Sequence, residues 1–235
     1  KTAKDAGMNY IVFITRHHDG FSNWDTKYSD FNIMNTPYKQ DVVKMIVDEC
    51  HKQDMKIFLY YSLLDWGRED YSWKTGNTGK GTGRLTQGNW EDYVSFMKNQ
   101  LTELLTNYGK IDGIWFDGYW DQTGPKDGKD KTSRVNWHFP EIYSLIHNLQ
   151  PHCLVGNNHH ITPMPGEDYQ MFEKDLPGQN KSGFSEGKPS NELPLETCET
   201  MNNSWGFNIK DSKYKSVPQL IHYMVNAAGR NANFL

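Results

Sequence analysis

IDGIWFDGYWD (residues 111–121) is the stretch on which the fold turns. Ile114, Trp115 and Phe116 read as a short strand covered on both faces. The run stops at Asp117 and Gly118, after which the chain turns polar and aromatic. Asp112 precedes the run and so belongs at the opposite strand end. The same shape recurs along the chain. Runs rich in β-branched and aromatic residues lie at Tyr10 to Thr15, Lys56 to Ser62, Ile111 to Asp117, Cys153 to Gly156, Tyr169 to Phe172 and from Asn233 onward. Four of them open into long loops: RHHDGFSNWDTKYSDF, YYSLLDWGREDYSW, FDGYWDQTGPKDG and GNNHHITPMPGED.

Between the runs lie helical patterns. Asp41 to Lys52 places Val42, Val43, Ile46 and Cys50 on one stripe. Asn89 to Tyr108 does the same with Tyr93, Phe96, Met97, Leu101, Leu104 and Leu105, with Asn89 as N-cap and Gly109 as the stop. Pro140 to Leu149 is a third pattern. Ser216 with Gln219 forms a capping box for a fourth helix that carries Leu220, Met224, Ala227 and Ala228 and ends at Gly229. Alternating strands and helices imply parallel strands joined by helical crossovers. No G-x-G-x-x-G follows a strand, which argues against a dinucleotide fold; GKGTGR near Gly79 lies in a polar loop. The expectation is an α/β fold of the (β/α)₈ type, a TIM-like barrel incomplete at both ends, with residues 1–235 forming one domain. In such a barrel the loaded loops share the C-terminal face, where reacting groups converge.

The 36% hydrophobic and 14% aromatic content suffices for one large core. Eight tryptophans, thirteen tyrosines and eleven phenylalanines exceed what that core needs, and surplus aromatics line concave sites for flat, partly apolar ligands such as sugars. A formal net charge of -4 with mixed signs gives no basic stripe for nucleic acid. No run is long enough to cross a bilayer. Cys50, Cys153 and Cys198 are odd in number and widely spaced, which fits small buried residues rather than a disulfide framework or a zinc knuckle.

Asp117, at the tip of its strand among Trp115 and Trp120, fits a nucleophile or a general base, or equally an aspartate capping the next loop. A second carboxylate is offered by GEDYQMFEKDLPG, where Glu173 ends the strand and Glu167 and Asp168 enter it from below. Two carboxylates at strand tips amid tryptophans and histidines suit glycoside hydrolysis. His17 and His18 are the rival, metal-binding feature. Adjacent strand residues point to opposite faces, so the two are not expected to ligate one ion unless the strand has already ended; H-x-H spacing is missing, and no metal is expected. His159 and His160 repeat the theme at another strand end.

RHHDGFSNWDTKYSDFNIMNTPYKQDVV, YYSLLDW, IDGIWFDG and LETCETMNNSWGFN together resemble the α-L-fucosidases of glycoside hydrolase family 29, over essentially the whole chain. The resemblance implies a retaining exo-glycosidase without cofactor, acting on fucosylated glycans. It also implies a barrel usually followed by a β-sandwich, in a secreted or periplasmic protein. By resemblance Asp117 stands at the nucleophile's position and Glu173 at the acid/base position, with Glu167 as the alternative. His17 and His18 match residues that contact fucose hydroxyls, and Tyr60, Trp115 and Trp205 match the pocket lining. Asp19 is expected to fix the loop that orients the histidines. A family arginine has no counterpart here, where NNHH places Asn158 or His159 instead. The rival readings are a non-catalytic carbohydrate-binding barrel and a metal-dependent barrel hydrolase.

Overall fold

The computed structural model describes residues 1–124, 130–185 and 187–235; the Pro125 to Gly128 end of the third loop quoted above lies outside the described residues. The elements run α1 (Thr2–Asp5), β1 (Tyr10–Arg16), α2 (Val42–Lys52), β2 (Lys56–Ser62), α3 (Trp90–Thr106), β3 (Gly113–Asp117), α4 (Phe139–Leu149), β4 (Leu154–Asn157), β5 (Gln170–Glu173), β6 (Leu195–Cys198), α5 (Val217–Ala228) and β7 (Ala232–Phe234). The chain divides into two compact units, Lys1–Gly156 and Asn157–Leu235.

The first unit is built on a four-stranded sheet in the order β1-β2-β3-β4. β1 to β2 and β2 to β3 pair in parallel. Ile57, Leu59 and Tyr61 alternate on β2 toward the helices and are fully buried, together with Val43 and Val47 of α2, Leu101 and Leu104 of α3, and Ile142 and Ile146 of α4. Local signals start these helices as the sequence suggests. Asp41 caps α2 by accepting from the Lys44 amide, and Asn89 caps α3 by accepting from that of Glu91. The α3 stripe is buried at all six expected positions. On α2 the stripe is shifted: Val43, Val47 and Cys50 are buried, whereas Val42 and Ile46 are only half-buried.

β1 also departs from expectation. Its run reads as a strand covered on both faces, but β1 is the edge of this sheet and Ile14 is 44% exposed. Its pairing with β2 slips by one residue between Ile14 and Arg16, so Ile14 faces Tyr60 and Arg16 faces Tyr61. A one-residue slip sends a side chain to the opposite face of the sheet. Arg16 therefore points to the helix side, where it donates to Asp65 at 2.6 Å, to the Tyr93 hydroxyl at 2.8 Å and to the Ser62 carbonyl at 3.0 Å.

The second unit has a three-stranded sheet in the order β5-β6-β7, parallel throughout. Phe172, Leu176, Leu195, Ala227 and Ala232 form its core, with Tyr223 and Phe234 packed against them. The Ser216–Gln219 capping box opens α5 as expected. Among the expected apolar positions of α5, Ala227 is fully buried, while Met224 is half exposed. Strand β6 is an addition to the sequence reading. The three cysteines are free and buried.

Candidate active site

Strand register assembles the first cluster. In a parallel pair, partners in register lie on the same face, and the β2–β3 register matches Tyr60 with Trp115 and Ser62 with Asp117. All four side chains therefore share one face of the sheet, with Asp117 at the tip of β3. Behind it Gly118 turns the chain at φ +96; a Cβ there would sit 2.8 Å from both the Cβ and the amide nitrogen of Leu64. β1 ends at Arg16, and a turn closed by the Gly20 amide on the His17 carbonyl carries both histidines toward this face. Asp19 accepts from the Phe21 amide at 3.1 Å and so fixes the turn.

Around Asp117 the partners are close. Its Oδ2 accepts from the Tyr60 hydroxyl at 2.7 Å and lies 3.6 Å from His18 Nε2; its Oδ1 accepts from the Gly118 amide at 2.7 Å. His17 stacks on Tyr60 with ring centres 5.4 Å apart, and Tyr60 stacks on Trp115 at 5.3 Å. Trp66 and Trp120 make T-shaped contacts with the His18 ring, centre to centre 5.5 and 5.6 Å. Burial pushes His18 down to about 4, against the pull of Asp117, and lowers His17 as well. His18 is thus neutral near pH 7, and its tautomer follows from its neighbours. The Ser62 hydroxyl donates to the Leu64 carbonyl at 2.6 Å, so it accepts from His18 Nδ1–H at 2.7 Å, and the Nε2 lone pair faces the cluster.

The sequence lets His17 and His18 ligate one ion only if the strand has already ended, and that condition is met, since β1 stops at Arg16. Strand alternation therefore does not separate the two rings. One donor atom each from His17, His18 and Asp117 lie within 4.8 Å of one another, close enough to converge on one ligand.

The second unit carries a separate cluster. Glu173 ends β5, and its Oε2 accepts from Asn158 Nδ2 at 2.7 Å and lies 3.4 Å from His160 Nε2. Burial pushes this carboxyl up, but the proximity and charge of His160, the Asn158 bond and Lys174 outweigh it, and Glu173 ends below the ordinary glutamate range. Glu167, the alternative, has a side chain only 1% exposed: both of its oxygens accept from His159 Nε2–H, at 2.9 and 3.0 Å, and one also accepts from the Met164 amide. His159 is correspondingly committed, since its Nδ1 accepts from the Ile161 amide at 3.1 Å. The pair holds a loop together, which leaves Asn158 and His160 facing Glu173. His160 was not singled out from its neighbour in the sequence, because nothing local tells which of two adjacent histidines meets Glu173; both are buried, and His160 adopts a left-handed backbone at φ +65. Trp205 is 55% exposed, with the Lys174 ammonium 5.5 Å from its ring centre.

A neutral imidazole and a carboxylate behind aromatic walls form a class of site suited to polyhydroxylated rings, which offer hydroxyl donors to the polar groups and C–H faces to the rings. The family model for alpha-L-fucosidase matches residues 1–235, and the chain belongs to that family. Alpha-L-fucosidase 1 of Arabidopsis thaliana is 27% identical over 99% of the chain, which spans 44% of that protein; the chain is thus less than half the length of this curated relative. The structure of alpha-L-fucosidase isoenzyme 1 from Paenibacillus thiaminolyticus superposes with a TM-score of 0.80 at 33% identity, covering 99% of this chain and 55% of that one. A mutant of the alpha-L-fucosidase AlfC, an enzyme from Lactobacillus casei, in complex with the substrate 4-nitrophenyl-α-L-fucopyranoside, superposes at a TM-score of 0.73 with 28% identity, over 99% of this chain and 69% of that one.

Proposed function

We propose that this chain is the catalytic part of a retaining exo-glycosidase that removes terminal α-L-fucosyl residues from oligosaccharides or glycoconjugates. The observation that carries the reading is Asp117 at the tip of β3, held by the Tyr60 hydroxyl and faced by His18 Nε2. In the first step Asp117 attacks C1, the bond from C1 to the leaving oxygen breaks, and Glu173 gives that oxygen a proton. In the second, Glu173 takes a proton from water, the water oxygen attacks C1, and the ester to Asp117 breaks. His17 and His18 hold sugar hydroxyls, with the His18 Nε2 lone pair as an acceptor. Trp115 walls the apolar side that a 6-deoxy sugar presents, and Trp205 contributes from its exposed loop.

A general acid must carry a proton, whereas the partners of Glu173 favour its ionised form. His160, whose Nε2 lies 3.4 Å from the carboxylate, is the strongest of these partners, so the ease with which Glu173 takes up its proton turns on that histidine. The barrel belongs to the same proposal: strand–helix alternation and the parallel register of the described pairs support a (β/α)₈-type catalytic domain spanning residues 1–235.

The test is chemical rescue. Asp117→Gly should lose hydrolysis of an aryl α-L-fucoside and, given azide, should form the fucosyl azide of inverted configuration. Glu173→Ala given azide should form the azide of retained configuration. Near-normal hydrolysis by Asp117→Asn would sink the assignment. The donor convergence of His17, His18 and Asp117 favours one second reading, metal-dependent hydrolysis; activity lost to a chelator and restored by Zn²⁺ would decide for it.

A further inference from the structure

We propose that His17, His18 and Asp117 also form a binding site for a divalent first-row transition cation, Cu²⁺ most tightly, and that the cation and the sugar exclude each other. Among the described residues this is the one trio of histidine, cysteine or carboxylate donors that converges closely enough to hold an ion. Two imidazoles with one carboxylate suit copper, zinc and nickel rather than calcium or magnesium, and the order of affinities places copper first.

The geometry fits such an ion with little movement. Bonds of about 2.0–2.1 Å put donors roughly 3.3 Å apart on a tetrahedral edge and roughly 4.1 Å apart across the metal. His18 Nε2 and Asp117 Oδ2 are 3.6 Å apart, near the first value. The widest separation in the trio stays within 4.8 Å, slightly beyond the second. His17 is the donor able to close the difference, because it is exposed and its ring stacks on Tyr60.

The groups behind His18 favour a cation still more. A ligating histidine is ordinarily oriented through its other ring nitrogen by a hydrogen bond that fixes the tautomer. Here the relay from His18 Nδ1 to the Ser62 hydroxyl to the Leu64 carbonyl does this in advance and aims the Nε2 lone pair at the cluster. Trp66 and Trp120 pack against the ring in T-shaped contacts. The lone pairs that would accept from sugar hydroxyls are the ones a cation would take, so occupancy by one prevents the other. That exclusion rests on the fucosidase reading; the binding itself does not.

The experiment is a calorimetric titration of the chelator-stripped full-length protein with Cu²⁺, alongside the d–d absorption of Co²⁺ in the same site. One equivalent should bind. Ser62→Ala, which leaves all three donors in place, should weaken it about 10–100-fold. His17→Ala and His18→Ala should remove the Co²⁺ band while circular dichroism stays native. Binding that all three variants leave unchanged, or no binding by a folded wild-type protein, overturns the site. In the assay with an aryl fucoside, Cu²⁺ should raise KM at unchanged kcat, reversibly with chelator. A fall in kcat at unchanged KM, or activation by the ion, overturns the exclusion. A protein that binds Cu²⁺ through these residues but never hydrolyses fucosides keeps the cation site and fails the fucosidase reading.

Discussion

Tyr60 shows how much of the candidate chemistry hangs on single atoms. Its hydroxyl donates to Asp117 Oδ2 at 2.7 Å, a hydrogen bond to a charged acceptor, and such bonds contribute about 1.5–3 kcal/mol. Tyr60→Phe should therefore lower kcat/KM by about 10–100-fold in steady-state assays, at about 1.4 kcal/mol per tenfold, while the stacks on His17 and Trp115 keep the fold. His160 is expected to act on pH dependence. Burial already pushes Glu173 up, and His160 with Asn158 and Lys174 brings it down. His160→Gln takes away the imidazole that lowers Glu173 and so raises it, and its protonated form persists to higher pH. The alkaline limb of kcat/KM should move upward; an unmoved limb would separate His160 from the acid/base step. At this scale the sequence was informative where a residue ended a strand, as for Asp117 and Glu173. It was silent where a side chain's direction depends on a turn. Strand alternation would part His17 from His18, and only the structure shows that the strand stops at Arg16, before either. His159 was preferred to His160 on position alone, although its two ring nitrogens are spent on Glu167 and the Ile161 amide.

Elements carry the site through features that no hydropathy pattern encodes. The slip between β1 and β2 places Arg16 beneath the sheet, where it pairs with Asp65; both side chains are fully or almost fully buried. Breaking a buried pair by removing one partner costs about 3–5 kcal/mol, because the other charge is left in the interior. Asp65→Asn should lower the stability measured by urea denaturation by an amount of that order, and Arg16→Met with Asp65→Leu should recover part of the loss. Gly118→Ala asks the same of β3, since the new Cβ would meet Leu64 and the φ of +96 disfavours any side chain. The expected outcome is loss of activity with destabilisation of about 1–3 kcal/mol. The long runs and capping residues of β2, β3, α2, α3 and α5 were legible because burial on both faces and N-cap hydrogen bonds leave compositional traces. Strand β6 was not: four residues, LETC, with Glu196 in the middle, resemble a polar connection until pairing with β5 and β7 makes them a strand.

For the molecule as a whole, the cysteines offer a direct probe. Cys50 and Cys153 lie in the first unit and Cys198 in the second, and all three are buried thiols. A thiol reagent should find none reactive in the native state. Along a denaturant titration Cys50 and Cys153 should become reactive together, while Cys198 reports independently on the second unit; rapid native labelling of Cys50 or Cys153 would contradict the first unit's packing. The wall of loops around the first cluster is equally well fastened. Asp121, fully buried, accepts from the Tyr71 hydroxyl at 2.7 Å and from the Thr78 amide and hydroxyl at 2.7 and 2.6 Å. Arg84 ties the same loop back to the carbonyls of Asp65 and Gly79. The conformational entropy of that glycine-rich segment is thus lost when the chain folds, not when a sugar arrives. A ligand meeting a rim already frozen keeps more of its contact energy as affinity, and descendants of this protein can alter what they accept by exchanging rim side chains one at a time without relearning how the loop folds.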